Sequence, residues 1–273
     1  MSETAETAAL MRAIACFEPD INIKCNDDLA NLFLPEDKRR KLSSELYRNA
    51  AKAAARNGLY EYIIARTAYF DNLFVDALTS RFSQIILLGA GYDTRAYRYG
   101  GLLGNSKVFE VDAPFTQNHK NDILKACGIP SDKMAYVPVD FEKDDLFARL
   151  IENGFDTSQR TLYIWEGVTM YLRPEAVDEV LLAIVRNSAT SSVLSFDYVN
   201  VYITSESNII RKDETVRFGM SASAMEDYVR GLGYQVKKNI GVEDMNRLYL
   251  TCENGDIFGN IKTTMNIIET ELT

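Results

Sequence analysis

Residues Gln84–Arg95 read QIILLGAGYDTR, with four apolar residues, Ile85 to Leu88, running directly into Gly89-Ala90-Gly91. A buried strand that ends in Gly-x-Gly is how α/β proteins open a nucleotide or nucleoside site. Glycine permits the sharp turn and lets the backbone approach a ligand. Asp112 ends a second apolar run 21 residues after Gly91, where a ribose-binding carboxylate is expected.

Other carboxylates close other apolar runs: Glu110 and Asp112 in FEVD, Asp140 before Phe141, and Glu166 after Trp165. Ligands of open α/β sheets bind beyond the carboxyl ends of the strands, so these residues share one rim. Carboxylates there suit ribose hydroxyls, an adenine amino group or a ligand ammonium, and do not suit phosphates. An Asp or Glu after a strand also serves as a helix cap, and for any one of them both readings stand. The recurrence over three strands together with Gly-x-Gly favours a ligand site.

The glycine loop is informative in what it lacks. A dinucleotide fingerprint continues to a third Gly or Ala that leaves pyrophosphate on a helix N-terminus; the position here is Thr94, followed by Arg95. The Lys-Ser/Thr pair of a phosphate-binding loop is missing too. The pattern fits a nucleoside without pyrophosphate, and S-adenosylmethionine has the matching groups.

Arg66 falls inside an apolar stripe at helical spacing, in phase with Ile63 and Phe70. A buried guanidinium needs an anion, either an internal carboxylate or the carboxylate of a ligand. Arg95 and Arg98 pose the same question, and Asp93 has the position to order the loop through local backbone hydrogen bonds. Trp165 and Tyr171 flank Glu166; they line an acceptor pocket or pack in the core. His119, the single histidine, sits in the polar run Thr116–Lys120 and reads as a surface or capping residue.

The elements that must position these groups change character along the chain. Residues 1–80 read as helical, with a stripe from Leu59 to Ala77. Beyond residue 84, strands at Gln84–Leu88, Lys107–Asp112, Ala135–Val139, Thr161–Trp165 and Ser192–Asp197 alternate with helices. The helices fall near Thr94–Gly100, Phe115–Cys127, Leu146–Asn153, Pro174–Asn187 and Ala222–Leu232. Pro174 suits a first helical turn. The alternation predicts a mostly parallel sheet covered on both faces. Tyr234–Asn239 and Arg247–Glu253 read as a closing antiparallel hairpin. Val199–Phe218 is polar and weakly patterned, either a lid over the site or a long surface insertion.

The bulk properties bound the answer. A chain of 273 residues holds one large α/β domain with additions, or two small ones. A net charge of −9 argues against non-specific nucleic-acid binding. No apolar run approaches the roughly 18 residues of a membrane span, and the first residues do not read as a signal peptide. Cys16, Cys25, Cys127 and Cys252 are scattered, which predicts free thiols in a reducing cytoplasm and no zinc or other metal site.

Taken together these residues resemble the leucine carboxyl methyltransferase family, which includes the tetracenomycin-type polyketide O-methyltransferases. The matching pieces are Ala65-Arg66-Thr67 with Asp71, then the run from Leu87 through Gly89-Ala90-Gly91-Tyr92-Asp93-Thr94-Arg95 to Arg98. They continue with Phe109 to Pro114, Val139-Asp140-Phe141, and Glu166 to Leu172; Phe218-Gly219-Met220 and Gly233-Tyr234 follow.

The resemblance implies a class I methyltransferase fold: a Rossmann-like, mostly parallel seven-stranded sheet with an antiparallel last strand and an N-terminal helical cover. On that basis residues 1–80 are the cover and 81–273 the cofactor-binding unit, together one compact body. It also implies that Arg66 holds the methionine carboxylate of S-adenosyl-L-methionine. Gly89 and Gly91 would shape the loop under the cofactor, and Asp112 would bind the ribose. Asp140 and Phe141 would meet the adenine, and Glu166 the ammonium. Tyr171 is the candidate acceptor contact. The family's N-terminal cofactor-contacting lysine has no assigned counterpart among Lys24, Lys38 and Lys41. The region 195–220 matches nothing that identifies an acceptor.

The expected reaction is O-methyl transfer to a small-molecule carboxylate or hydroxyl, with no catalytic side chain assigned. The protein mainly aligns oxygen, methyl and sulfur. The alternatives are a protein C-terminal carboxyl methyltransferase, a non-catalytic S-adenosylmethionine-binding protein, and an NAD-dependent oxidoreductase.

Overall fold

The computed structural model describes residues 3–130, 133–201, 209–211 and 214–273. Strands β1 (Gln84–Leu88), β2 (Lys107–Asp112), β3 (Met134–Pro138), β4 (Thr161–Trp165), β5 (Val193–Val199), β6 (Tyr234–Ile240) and β7 (Met265–Leu272) make a seven-stranded sheet. Its order is β3-β2-β1-β4-β5-β7-β6. The pairs from β3 to β5 are parallel, and β7 is antiparallel to both β5 and β6.

Helices α1 (Glu3–Ala15), α2 (Glu36–Lys41), α3 (Glu45–Ala54) and α4 (Leu59–Thr79) precede the sheet. Within and after it come α5 (Arg95–Arg98), α6 (Pro114–Ala126), α7 (Leu146–Glu152), α8 (Pro174–Asn187), α9 (Ala222–Gly231) and α10 (Val242–Tyr249). Pro174 opens α8, where its missing donor costs nothing. No helix among the described residues is long and apolar enough to cross a membrane.

The central strands are buried on both faces. Along β1, Ile85 and Leu87 enter a core with α1, α4 and α10, while Ile86 and Leu88 enter a second core with α7, α8 and α9. In β4, Leu162 and Ile164 join the first core, and Tyr163 and Trp165 the second. The period of two is why these runs read as continuously apolar. Phe70 and Phe74 of α4 are fully buried, each contributing about 1.5–3 kcal/mol through area removed from water.

One expectation fails. Arg247–Glu253 does not form the second strand of a hairpin; Val242–Tyr249 is helical, and β6 pairs with Met265–Leu272. Met245 on α10 is fully buried, and α10 packs on α4. The antiparallel strand is thus real but lies further along the chain. Of the stretch Val199–Phe218, residues 202–208 and 212–213 lie outside the described residues, so the lid reading falls largely outside them as well. Ile209–Arg211 pairs antiparallel with Glu214–Thr215, and Val216 and Phe218 are buried.

Candidate active site

A cavity of about 1150 Å³ opens at the carboxyl ends of β1 to β5, with α1 and α4 along its sides. Arg66, Gly89, Gly91 and Asp112 all line it. So do Asp140, Phe141, Glu166 and Tyr171, which brings every sequence-predicted site residue to one space.

The glycine loop has the geometry its sequence demands. Gly89 and Gly91 take φ of +68° and +46°, in the left-handed region. A Cβ on Gly89 would lie 2.3 Å from Cγ2 of Val168. Ala90 N–H donates to Val111 O at 2.9 Å, joining the loop to the end of β2. Gly91 N–H donates to Oδ2 of Asp112, and Ala113 N–H donates to Oδ1 at 2.6 Å. Burial raises the Asp112 carboxyl above its usual range, and these two donors partly oppose it. α6 begins without a side-chain cap, so Asp112 is not its N-cap.

Asp140 is more exposed and closes a local turn, while the N-cap of α7 is Asp145. Its Oδ1 accepts from Glu142 N–H at 3.0 Å, and Lys143 Nζ lies 2.5 Å from Oδ2. Lys143 holds its carboxyl below the usual range. Phe141 packs beside Trp165, ring centroids 5.9 Å apart.

The base of the cavity rests on a polar seam between α4 and β5. Tyr62, Arg66 and Tyr69 share one face of α4, opposite Ser195 and Asp197, which point from β5 to the same side. The Arg66 guanidinium sits 2.9 Å from Glu166 Oε1 through Nε and 2.9 Å from Asp197 Oδ2 through Nη1. The internal carboxylate partner for Arg66 is therefore present, and Arg66 also faces the cavity. Its hydrogen bond to Asp197 runs through Nη1. Asp197, fully buried, also accepts from Tyr62 Oη and from Gly167 N–H, each at 2.6 Å. Burial, with the Asp197 charge behind it, keeps the Tyr62 phenol protonated.

From Glu166 the ion pairs run on. Arg95 Nη1 reaches Glu166 Oε2 and Asp93 Oδ2, each at 2.6 Å, and Arg95 Nε reaches Asp71 at 2.7 Å. Arg98 grips Asp71 with two hydrogen bonds of 2.8 Å, and Asp27 bridges Arg98 to Arg12. Arg12 on α1 donates to Tyr92 O at 2.7 Å, tying that helix to the glycine loop. Among the described residues this network holds four arginines against five carboxylates.

Sequence reasoning missed Asp197 as a site residue. The available signal was a lone carboxylate inside the otherwise uncharged strand β5. Of the remaining residues singled out, Trp165 is core and fully buried, and His119 lies outside the cavity lining against Tyr92. Lys24, Lys38 and Lys41 do not line it; Lys38 pairs with Glu6 and Lys41 with Asp37. No group of three or more His, Cys, Asp or Glu among the described residues is arranged to hold a metal ion.

The family model for leucine carboxyl methyltransferase matches residues 5–185. The chain belongs to the leucine carboxyl methyltransferase family. A Mycolicibacterium smegmatis protein provisionally named an S-adenosyl-L-methionine-dependent methyltransferase is 34% identical over 251 residues, covering 86% of this chain and 84% of that one. A second from the same organism, with the same provisional name, is 31% identical, covering 85% and 81%. A solved structure from Thermobifida fusca, provisionally titled a methyltransferase, superposes with a TM-score of 0.63 at 16% identity, covering 97% and 94%. That likeness concerns the fold: the class I methyltransferase sheet seen here. Family membership makes this chain a methyltransferase.

Proposed function

We infer that this methyltransferase moves a methyl group to an oxygen of a small acidic molecule, a carboxylate in preference to a hydroxyl. Its methyl donor is S-adenosyl-L-methionine. The observation that carries the reading is the convergence of Gly89, Gly91, Asp112, Asp140 and Glu166 on one cavity of about 1150 Å³, whereas Glu110, the other carboxylate of that rim, is buried against Lys120. That exceeds the roughly 300–1,000 Å³ of an ordinary ligand pocket, leaving space for an acceptor beside the donor.

In this reading α1 to α4 cover the site. Arg66 meets the methionine carboxylate, and Glu166 the ammonium. Asp112 accepts from the ribose hydroxyls, and Asp140 and Phe141 flank the adenine. The excess of carboxylates in the network favours a bound cation. Tyr171 stands at the acceptor. A sulfonium is already a strong electrophile, so rate comes from alignment of oxygen, methyl and sulfur.

The absence of a suited base favours a carboxylate acceptor. No histidine lines the cavity among the described residues. Glu166 is held between Arg66 and Arg95, and Tyr62 stays protonated. A carboxylate needs no proton removed before it attacks, whereas a hydroxyl does. The protein belongs in the cytoplasm on this account, its four cysteines being free.

Radiolabelled donor incubated with a panel of carboxylic acids and phenols tests this reading. A base-labile product that releases methanol identifies an ester. A base-stable ether would contradict the carboxylate assignment. The family description keeps one second reading, methylation of a protein C-terminus. Transfer to a C-terminal leucine peptide but to no small acid would favour it.

A further inference from the structure

The cavity changes character away from the strand ends. Leu59, Tyr62, Ile63 and Arg66 share one face of α4, so that helix forms a wall from base to mouth. Met170, Val199 and Val216 make the neighbouring lining aliphatic. Beyond Leu59, at the outer end, Arg56 and Lys262 also line the cavity, and both are exposed.

These two cations differ from the arginines at the base. Arg12, Arg66, Arg95 and Arg98 are each held by carboxylates. Arg56 and Lys262 have no carboxylate partner among the described residues. The backbone fixes their neighbourhood. Asn57 and Gly58 turn through left-handed φ of +59° and +66°, and Lys262 N–H donates to Asn57 O at 3.0 Å. A Cβ on Gly58 would lie 2.3 Å from Asn260 O, so this corner and the 260–262 loop touch directly. Leu59 to Arg66 spans roughly 10 Å of helix, which separates the cationic mouth from the Arg66–Glu166 pair.

We propose that Arg56 and Lys262 clamp an anionic group of the acceptor at the cavity mouth. The acceptor is amphipathic: an apolar body lies against Ile63, Met170, Val199 and Val216, with a carboxylate remote from the oxygen that is methylated. The charge of the base arginines is shared with internal carboxylates; two cations without such a partner beside an aliphatic wall, in a chain of net charge −9, select for the anion. The proposal rests on the reading of this cavity as one that holds donor and acceptor together.

The test uses decanoate and its neutral counterpart decanamide, titrated calorimetrically into the full-length protein with and without saturating S-adenosylhomocysteine. The comparison is the double variant Arg56→Gln/Lys262→Gln, with Arg56→Lys as the conservative control. The expected result is that decanoate binds better than decanamide. The double variant loses about 10-fold or more of the decanoate affinity, Arg56→Lys keeps most of it, and decanamide is indifferent to both changes. Equal binding of decanoate and decanamide, decanoate binding unchanged in the double variant, or no decanoate binding would each overturn the clamp. S-adenosylhomocysteine affinity is read separately. Its absence alongside charge-dependent decanoate binding removes the donor reading and leaves the clamp standing.

Discussion

In the proposed function Asp112 and Arg66 bear most directly on donor binding, and their chemistry predicts different failures. Asp112 has its two oxygens on the backbone N–H groups of Gly91 and Ala113, and burial raises its carboxyl. On the proposed function the ionised form accepts from ribose hydroxyls, so donor affinity should fall as the pH drops through that raised value, earlier than an exposed aspartate would produce. Asp112→Asn should weaken S-adenosylhomocysteine binding by about 10-fold, one charge-assisted hydrogen bond. It should also abolish that acid limb. Calorimetry across pH checks both, and an unchanged limb would assign it elsewhere. Arg66→Ala removes a charge that Glu166 and Asp197 share. It should cost about 3–5 kcal/mol of stability, because buried carboxylates lose their partner, in addition to donor affinity. Denaturant unfolding reads the first and calorimetry the second. At this scale the sequence exposes the residues and hides their partners. Gly89, Gly91, Asp112 and Glu166 stand at strand ends, where local pattern points. Asp197 meets Arg66 across 131 positions, a contact fixed by the seam of α4 on β5.

Between elements, the glycine loop and the segment after β4 meet at Gly89 and Val168. Gly89→Ala should destabilise the protein by about 1–2 kcal/mol through its left-handed φ alone. The clash with Val168 Cγ2 adds to that cost. Val168→Ala in the same chain should restore the steric part and leave the φ part. A double-mutant cycle in urea unfolding measures the coupling, and strict additivity would contradict this contact. Most elements are readable from residue types because the strand and helix periods differ. β1, β2, β4 and α8 fall where apolar runs and Pro174 place them. The end of the sheet is not readable in this way. LYLT resembles a strand locally, yet Val242, Met245 and Tyr249 share a helical face, and Met245 is buried against α4. The partner of β6 comes only after a further turn of the chain, at β7, and no local pattern encodes that distance. Gly219 shows the same dependence: a Cβ there would lie 2.7 Å from Val199 O, a close approach set by tertiary contact.

Across the whole molecule, the ion-pair network joins α1, α4, the glycine loop and β5, so it couples those two helices to the sheet. Burial alone would raise Asp71 and Asp93. Arg95 and Arg98 beside Asp71, and Arg95 with Lys120 near Asp93, bring both below the ordinary carboxylate value. Their contribution to stability is therefore complete above the unfolded value of about 4 and is lost as pH falls through the depressed one. Glu110 and Asp112, raised by burial, act with the opposite sign and offset part of that loss. Asp71→Asn should lower stability near neutral pH by about 3–5 kcal/mol, since it leaves buried guanidiniums short of charge. The deficit should shrink in acid. Urea midpoints between neutral and acid pH check this, and a deficit independent of pH would contradict it.

The central claim is that the cavity at the strand ends holds S-adenosyl-L-methionine through the residues named above. Calorimetric titration of the purified protein with S-adenosyl-L-methionine and S-adenosylhomocysteine, with NAD as the control, tests it most directly. The account predicts binding of the first two at about micromolar Kd, near −8 kcal/mol, and no binding of NAD. Failure to bind either, or binding of NAD alone, would contradict it.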